Sequence, residues 1–179
     1  MLRLALMFGG VAGGFVAAAT VVKIALFGVQ PDNMLAGYLI MVVGMSLIFL
    51  GVKHDRDRVQ GGDIAFGRAM VLGLLIAGCG GLFYALLWDV YLAATDYVVI
   101  DAYVEMYLEK AREAGASSRE LEALSVQQQE IIESYGNPLF RIAIAFSEVF
   151  PVGLLMALIS AALLSNRNFL PGGSSRQAS

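Results

Sequence analysis

The chain has 179 residues, of which 58% are hydrophobic and 15% are charged, and its formal net charge is −3. A soluble domain is about 45–50% apolar and about 25% charged, so this composition indicates a protein that is embedded in lipid. The acidic pI, near 5.1, argues against nucleic acid as a partner. One cysteine, Cys79, excludes an intrachain disulfide, and with one histidine, His54, we expect no metal site and no cofactor.

Four apolar stretches are long enough to cross a bilayer, at residues 4–28, 35–52, 69–94 and 139–164. About 20 helical residues at about 1.5 Å each cross about 30 Å of hydrocarbon. Strands are not expected, because an open sheet edge leaves backbone groups unsatisfied in lipid. We therefore predict an all-α fold, a four-helix transmembrane bundle that forms a single membrane domain over residues 1–179.

The first stretch has a second interpretation. Arg3 is followed by an apolar run and by the small residues Ala17, Ala18 and Ala19, a pattern that resembles a cleaved secretory signal. The apolar run continues to Phe27, which is longer than the core of a typical signal. We favour a helix that is retained in the membrane.

Lysine and arginine residues predict the orientation of the bundle. Arg3 precedes the first span, the loop between the second and third spans is basic, and Arg167 and Arg176 follow the fourth span. Residues 29–33, between the first two spans, contain no basic residue. Because short cytoplasmic loops are enriched in lysine and arginine, we expect both termini on the cytoplasmic side of the cell inner membrane.

The basic loop forms a cytoplasmic junction whose notable residues are Lys53, Arg56, Arg58, Gly61, Gly62 and Asp63. One interpretation is that the basic side chains of this loop bind lipid phosphate groups. We favour a simpler interpretation, in which the loop determines topology and Asp63 caps the third transmembrane helix. The paired glycines are not a phosphate loop, because no lysine–serine pair follows them and no strand precedes them.

Residues 95–137, between the third and fourth spans, are predicted to form an amphipathic helical hairpin outside the membrane. Apolar residues recur at steps of three and four from Tyr97 to Ala111, and Ser117 with Glu120 has the spacing of a capping box. Nine acidic and three basic residues give this segment a net charge of −6. Residues 171–179, which are rich in glycine and serine, are predicted to be a flexible tail.

Glu148 is the sharpest candidate for function, because it falls well inside the fourth span. A charge near the bilayer centre costs about 3 kcal/mol or more, so we expect the carboxyl to face protein or water, with Lys23 of the first span as a candidate partner. Pro151 removes a backbone donor beside it and predicts a helix kink. The hypotheses are a structural carboxyl and a proton or cation site.

A second pair of charges, Asp89 and Arg141, falls at similar depths near the outer ends of the third and fourth spans. We predict a structural ion pair that joins these two helices. Small residues spaced by four, such as Gly9 with Gly13, Gly10 with Gly14 and Gly153 with Ala157, predict close helix contacts within the bundle. Contact between two copies through the first span is the alternative.

Several segments resemble one known family. They are Gly51–Lys53, Arg56–Asp57, Gly61–Ala69, Asn137–Arg141, Glu148–Leu154 and Leu158–Ala161. In the same order along nearly the whole chain, these segments are similar to an uncharacterised bacterial membrane family, domain of unknown function 4199. The resemblance implies a four-helix membrane fold and no established activity.

No nucleophile paired with a base and no cluster of metal ligands is present in the sequence, so we do not expect an enzyme. We predict an integral membrane protein that packs with itself or with a partner in the lipid bilayer. The alternative is a small oligomeric proton- or cation-coupled transporter or channel that uses Glu148.

Overall fold

The computed structural model describes residues 1–29 and 34–170. Within them, the regular elements are all helical, which confirms the predicted all-α class. The elements are α1 (Leu2–Phe27), α2 (Met34–Met45), α3 (Leu47–His54), a π-helical turn (Asp55–Val59), α4 (Phe66–Ala94), α5 (Val98–Glu113), α6 (Ser118–Tyr135) and α7 (Pro138–Leu164). Most of the predicted link at 29–33, the predicted tail at 171–179 and Arg176 lie outside the described residues.

Four helical stretches are long and apolar enough to cross a membrane: Leu2–Phe27, Leu35–Val59, Phe66–Ala94 and Pro138–Leu164. The second consists of α2, α3 and the π-helical turn, with Ser46 at the junction of α2 and α3, where its hydroxyl donates to the Val43 carbonyl at 2.6 Å. This stretch ends seven residues later than the predicted Val52, because the π-helical turn continues the helix through charged residues.

The transmembrane helices pack around α4, which contacts both α1 and α7 along much of its length. Glycines permit these contacts: a Cβ atom added at Gly73 would lie 2.8 Å from Ala157 Cβ, and one at Gly153 would lie 2.9 Å from Ala77 Cβ. A Cβ atom at Gly9 would lie 2.7 Å from Cys79 Cβ. The small-residue rows that contain Gly9, Gly73 and Gly153 therefore pack within the chain, as is usual for helices in lipid.

The contacts between α4 and α7 give a depth scale for the bundle. The two helices are antiparallel, so that Gly73 lies opposite Ala157 and Asp89 lies opposite Arg141. Asp89 follows Arg68 by 21 residues. That separation corresponds to about 32 Å of helix, similar to the hydrocarbon thickness. We call the end with Asp89 and the α5–α6 pair the hairpin end, and the end with Arg68 the junction end.

Candidate functional site

Arg141 joins four elements at the hairpin end. Its Nε atom donates to Asp89 Oδ1 at 2.5 Å, so the predicted ion pair between α4 and α7 is present. Its Nη1 atom donates to the carbonyl of Tyr135, the last residue of α6, and its guanidinium lies 5.1 Å from the centre of the Tyr97 ring, just before α5. The contacts with Tyr135 and Tyr97 had no signal in the sequence, because they depend on how the hairpin returns to the bundle.

The hairpin itself has little interior. α6 contains no buried residue, and in α5 only Val99 is buried. A cavity of about 250 Å³ lies between the two helices, and its walls are Tyr107, Leu108, Lys110, Ala111, Leu124 and Gln128. Pockets for drug-sized ligands are usually about 300–1,000 Å³, so we treat this space as a packing gap between the helices.

Glu148 follows Arg141 by seven residues, which places it about 10 Å deeper in the bundle. Its neighbour Phe146 packs on α4 at Gly81, where an added Cβ atom would lie 3.0 Å from the Phe146 ring. The Glu148 side chain is nevertheless exposed on the surface of α7. In the described residues it makes no hydrogen bond and no ion pair.

Tyrosine side chains from three other helices lie near Glu148. Its carboxylate is close enough to act electrostatically on Tyr84 of α4, Tyr103 of α5 and Tyr135 of α6. Burial raises the pKa of the Tyr103 and Tyr135 hydroxyls, and the Glu148 carboxylate raises it further. The hairpin therefore brings phenol groups toward the one carboxyl that lies deep within a described span.

Lys23 does not pair with Glu148, so the predicted partnership is wrong. A Cβ atom added at Gly13 would lie 2.9 Å from the Tyr84 nitrogen, which places Gly13 close to the depth of Glu148. Lys23 lies ten residues farther along α1, about 15 Å toward the hairpin end. In addition, α1 and α7 pack on α4 rather than on each other.

Pro151 lies inside α7, which is continuous from Pro138 to Leu164. Proline has no N–H, so the carbonyl of Ser147 lacks its helical donor. The hydroxyl of the same residue, Ser147, donates to the Ile144 carbonyl at 2.7 Å. The kink at this position stays a prediction.

The junction end holds a buried cation that the sequence did not reveal. Arg56 is 1% exposed, and it donates to Asp57 Oδ1 at 2.7 Å and to the carbonyls of Phe169 and Leu170 at 2.8 and 2.5 Å. The Phe169 ring packs edge-on against Phe49, with the ring centres 6.3 Å apart. Arg56 therefore fixes the segment after α7 across the end of α3.

Acidic side chains neutralise most of the other junction cations. Asp55, also 1% exposed, accepts from Arg68 Nε at 3.0 Å, and Lys53 pairs with Asp57. Arg58 is exposed. These pairs remove much of the basis for a phosphate site at the junction.

Asp63 does not cap α4, so the predicted cap is wrong. The N-cap of α4 is Ala65, which has no side-chain cap, whereas Asp63 forms an ion pair with Arg167, with 3.1 Å between Oδ1 and Nε. Gly61 and Gly62 have φ angles of 72° and 105°, values that favour glycine. The left-handed turn that they make leads the chain from the π-helical turn into α4.

The family model described as protein of unknown function (DUF4199) matches residues 7–166. The chain belongs to this family. The match begins within α1 and ends just after α7, so it includes the hairpin, Arg141 and Glu148. No curated protein and no solved structure matches the chain. The family description assigns no activity.

Proposed function

We propose that this DUF4199 protein is a non-enzymatic integral membrane protein that acts by binding another protein within the bilayer. The observation that carries the proposal is the exposed, unpaired carboxyl of Glu148, deep on the surface of α7. A charged group that faces lipid inside the hydrocarbon costs up to about 3 kcal/mol on insertion scales. Contact with a protein partner relieves that cost, because the partner supplies polar groups that lipid lacks.

The packing of the bundle supports an interaction at its surface. Gly9, Gly73 and Gly153 are used for close contacts inside the chain, so the helices leave little space between them. Gly14, by contrast, has nothing within 4 Å of an added Cβ atom. The surface of α1 with Gly14 is therefore open to a second copy, and the surface of α7 with Glu148 is open to a partner.

We further propose that the junction end faces the cytoplasm of a bacterial cell, with both termini on that side of the inner membrane. Lys53, Arg56, Arg58 and Arg68 are grouped at this end, and the acidic hairpin is at the other. This distribution agrees with the positive-inside rule. Reporter fusions after Arg58 and after Ser179 are expected to be active only with a cytoplasmic reporter, and a periplasmic signal from either contradicts this topology.

The main experiment is site-specific photo-crosslinking in intact membranes. A photoreactive residue at Leu155, which is exposed on α7, is expected to give a discrete crosslinked species. The same residue at Leu35, exposed at the start of α2, serves as the control for random lipid-phase collisions. A chain that gives no species at Leu155 beyond those at Leu35, and is a strict monomer by native mass spectrometry, contradicts the proposal.

A second candidate function is a small oligomeric transporter or channel for protons or cations. The observation that favours it is the position of Glu148 three residues before Pro151, which removes the helical donor of the Ser147 carbonyl. The test is ion or proton flux into liposomes that contain the wild-type chain or the Glu148→Gln variant. Flux in neither excludes this function, and equal flux in both excludes Glu148 as the group that carries it.

A further inference from the structure

From the depth and surroundings of Glu148 we infer that the partner binds through a transmembrane helix with a basic side chain level with this carboxyl. The inference rests on the proposed function, because it specifies the chemistry of the partner that covers α7. It concerns the surface formed by Ser147, Glu148, Pro151 and Leu155, which is exposed along one side of α7. We call these four residues the α7 surface.

Within residues 1–29 and 34–170, no cation pairs with Glu148. In a medium of low dielectric constant, an opposite charge stabilises a carboxylate far more than it does in water. Basic and acidic residues inside membranes usually pair with each other for this reason.

The described transmembrane helices of a second copy offer no cation that matches Glu148. Arg141 lies about 10 Å nearer the hairpin end and is bound to Asp89, while Lys23 lies about 15 Å nearer the same end. The basic residues of the junction end are on the opposite side of the bundle midpoint. Among the basic residues of the described transmembrane helices, none lies at the depth of Glu148, so charge complementarity favours a different protein.

Tyrosine side chains near the carboxyl also suit a cation. Tyr103 is 40% exposed and belongs to the hairpin, while Tyr135 ends α6 close to Arg141. Phenol oxygens accept hydrogen bonds from ammonium and guanidinium groups, and tyrosine rings attract cations. A basic residue that approaches Glu148 from the hairpin side therefore meets acceptors in addition to the carboxylate.

The depth of the partner residue follows from the α4–α7 alignment. Glu148 lies about 10 Å from the level of Asp89 and Arg141, and about 21 Å from the level of Arg68. The complementary lysine or arginine therefore lies about one third of the way in from the hairpin side. A lysine at the centre of a helix, or one near its junction-side end, does not match this depth.

The inference is tested with the full chain in lipid vesicles and a synthetic transmembrane helix of leucine and alanine. The helix carries one lysine about 10 Å inside one interface, and its association is measured by energy transfer from a donor fused after Ser179. We expect it to bind about tenfold more tightly than the same helix with leucine in place of lysine, since interhelical polar contacts contribute about 1–2 kcal/mol.

Two variants locate the effect. Glu148→Gln is expected to remove the tenfold preference for lysine while the chain keeps its thermal stability. In the double variant E148Q/L155E the carboxyl moves by seven residues, so the preferred lysine is expected to lie about 10 Å deeper in the synthetic helix. Association that ignores the lysine, or a lysine preference that survives in Glu148→Gln, overturns the inference.

Failure of the inference differs from failure of the proposed function. If photo-crosslinking at Leu155 gives a discrete species in both wild type and Glu148→Gln, a partner exists but does not recognise the carboxyl. If no species forms in the wild type, the proposed function itself is wrong. Preference for a lysine-free helix with glutamate at the matched depth indicates carboxyl–carboxyl pairing and also overturns the inference.

Discussion

The two ends of the bundle use their charges in opposite ways. At the junction end, Asp55 and Arg56 are buried and bonded, and the paired groups lie between α3, α4 and the segment after α7. At the hairpin end, Arg141 alone connects four elements, while α6 buries no residue. Charged side chains at the junction end therefore join parts of the chain to one another, whereas the acidic side chains of α5 and α6 are exposed.

The largest expected effect comes from breaking the junction end. Replacing Arg56 by methionine leaves Asp57 and the carbonyls of Phe169 and Leu170 without their buried donor. We expect a loss of about 3–5 kcal/mol in the free energy of unfolding, the usual result of breaking a buried charge pair. Thermal unfolding in detergent measures the change. Arg58→Met, in the same turn but exposed, is the control. Equal losses of unfolding free energy in the two variants contradict the conclusion that the buried contacts of Arg56 stabilise this end.

At the hairpin end, Arg141→Met is expected to cost less, roughly 2–3 kcal/mol, since Asp89 is only partly buried. Its specific consequence is detachment of the hairpin, because the contacts with Tyr135 and Tyr97 are lost as well. Limited proteolysis should cut between α4 and α7 faster than in wild type. Arg119→Met, an exposed position in α6, should leave the cleavage rate unchanged. Equal rates for all three proteins show that Arg141 does not hold the hairpin.

Between the two ends, Gly9 and Gly14 of α1 are a matched pair of positions for substitution, one packed and one open. Gly9→Ala places a methyl group 2.7 Å from Cys79 Cβ, and we expect this overpacking to cost about 1–3 kcal/mol. Gly14→Ala meets nothing within 4 Å, so it should cost nothing and can gain up to about 1 kcal/mol from helix propensity. Unfolding temperatures that fall equally for both variants contradict the packing of α1 on α4.

The smallest expected effect is a pH dependence at the start of α6. The Ser117 backbone and hydroxyl donate hydrogen bonds to Glu120 and hold the pKa of its carboxyl below the usual range. Because the folded pKa is lowered, this stabilisation is present above the unfolded pKa and is lost as the pH falls through the folded value. Amide hydrogen exchange in the first turn of α6, corrected for the intrinsic pH dependence, should therefore show less protection in acid. Glu120→Gln should flatten this response, and Glu122→Gln should not.

Features that depend on local sequence were predicted well. Hydropathy located the four spans, and the spacing of Ser117 and Glu120 gave the capping box that the structure contains. The pairing of Asp89 with Arg141 followed from antiparallel neighbours of similar depth. These predictions succeed because each needs only one helix, or two consecutive transmembrane helices.

Features that depend on contacts between distant segments were not predicted. The alternating charges from Asp55 to Arg58 are typical of a solvated loop, yet Asp55 and Arg56 are buried. Arg56 is bound by the carbonyls of Phe169 and Leu170, and Asp55 by Arg68, all of them distant in sequence or across the turn. Lys23 was misplaced because its depth depends on the offset between α1 and α4. The exposure of Glu148 on α7 likewise depends on the rotation of that helix, which hydropathy alone does not specify.

The position of the tryptophan allows the hairpin end to be observed by fluorescence. The single tryptophan, Trp88, lies at the hairpin end between Tyr84 and Tyr91, and its ring centre is 5.3 Å from that of Tyr91. Its emission therefore comes from one side of the molecule only. Quenching of this emission by lipids brominated at known carbons can therefore locate the hairpin end in the bilayer without any added label. A shift in the wavelength of maximum emission on addition of a ligand would report binding at the hairpin end only.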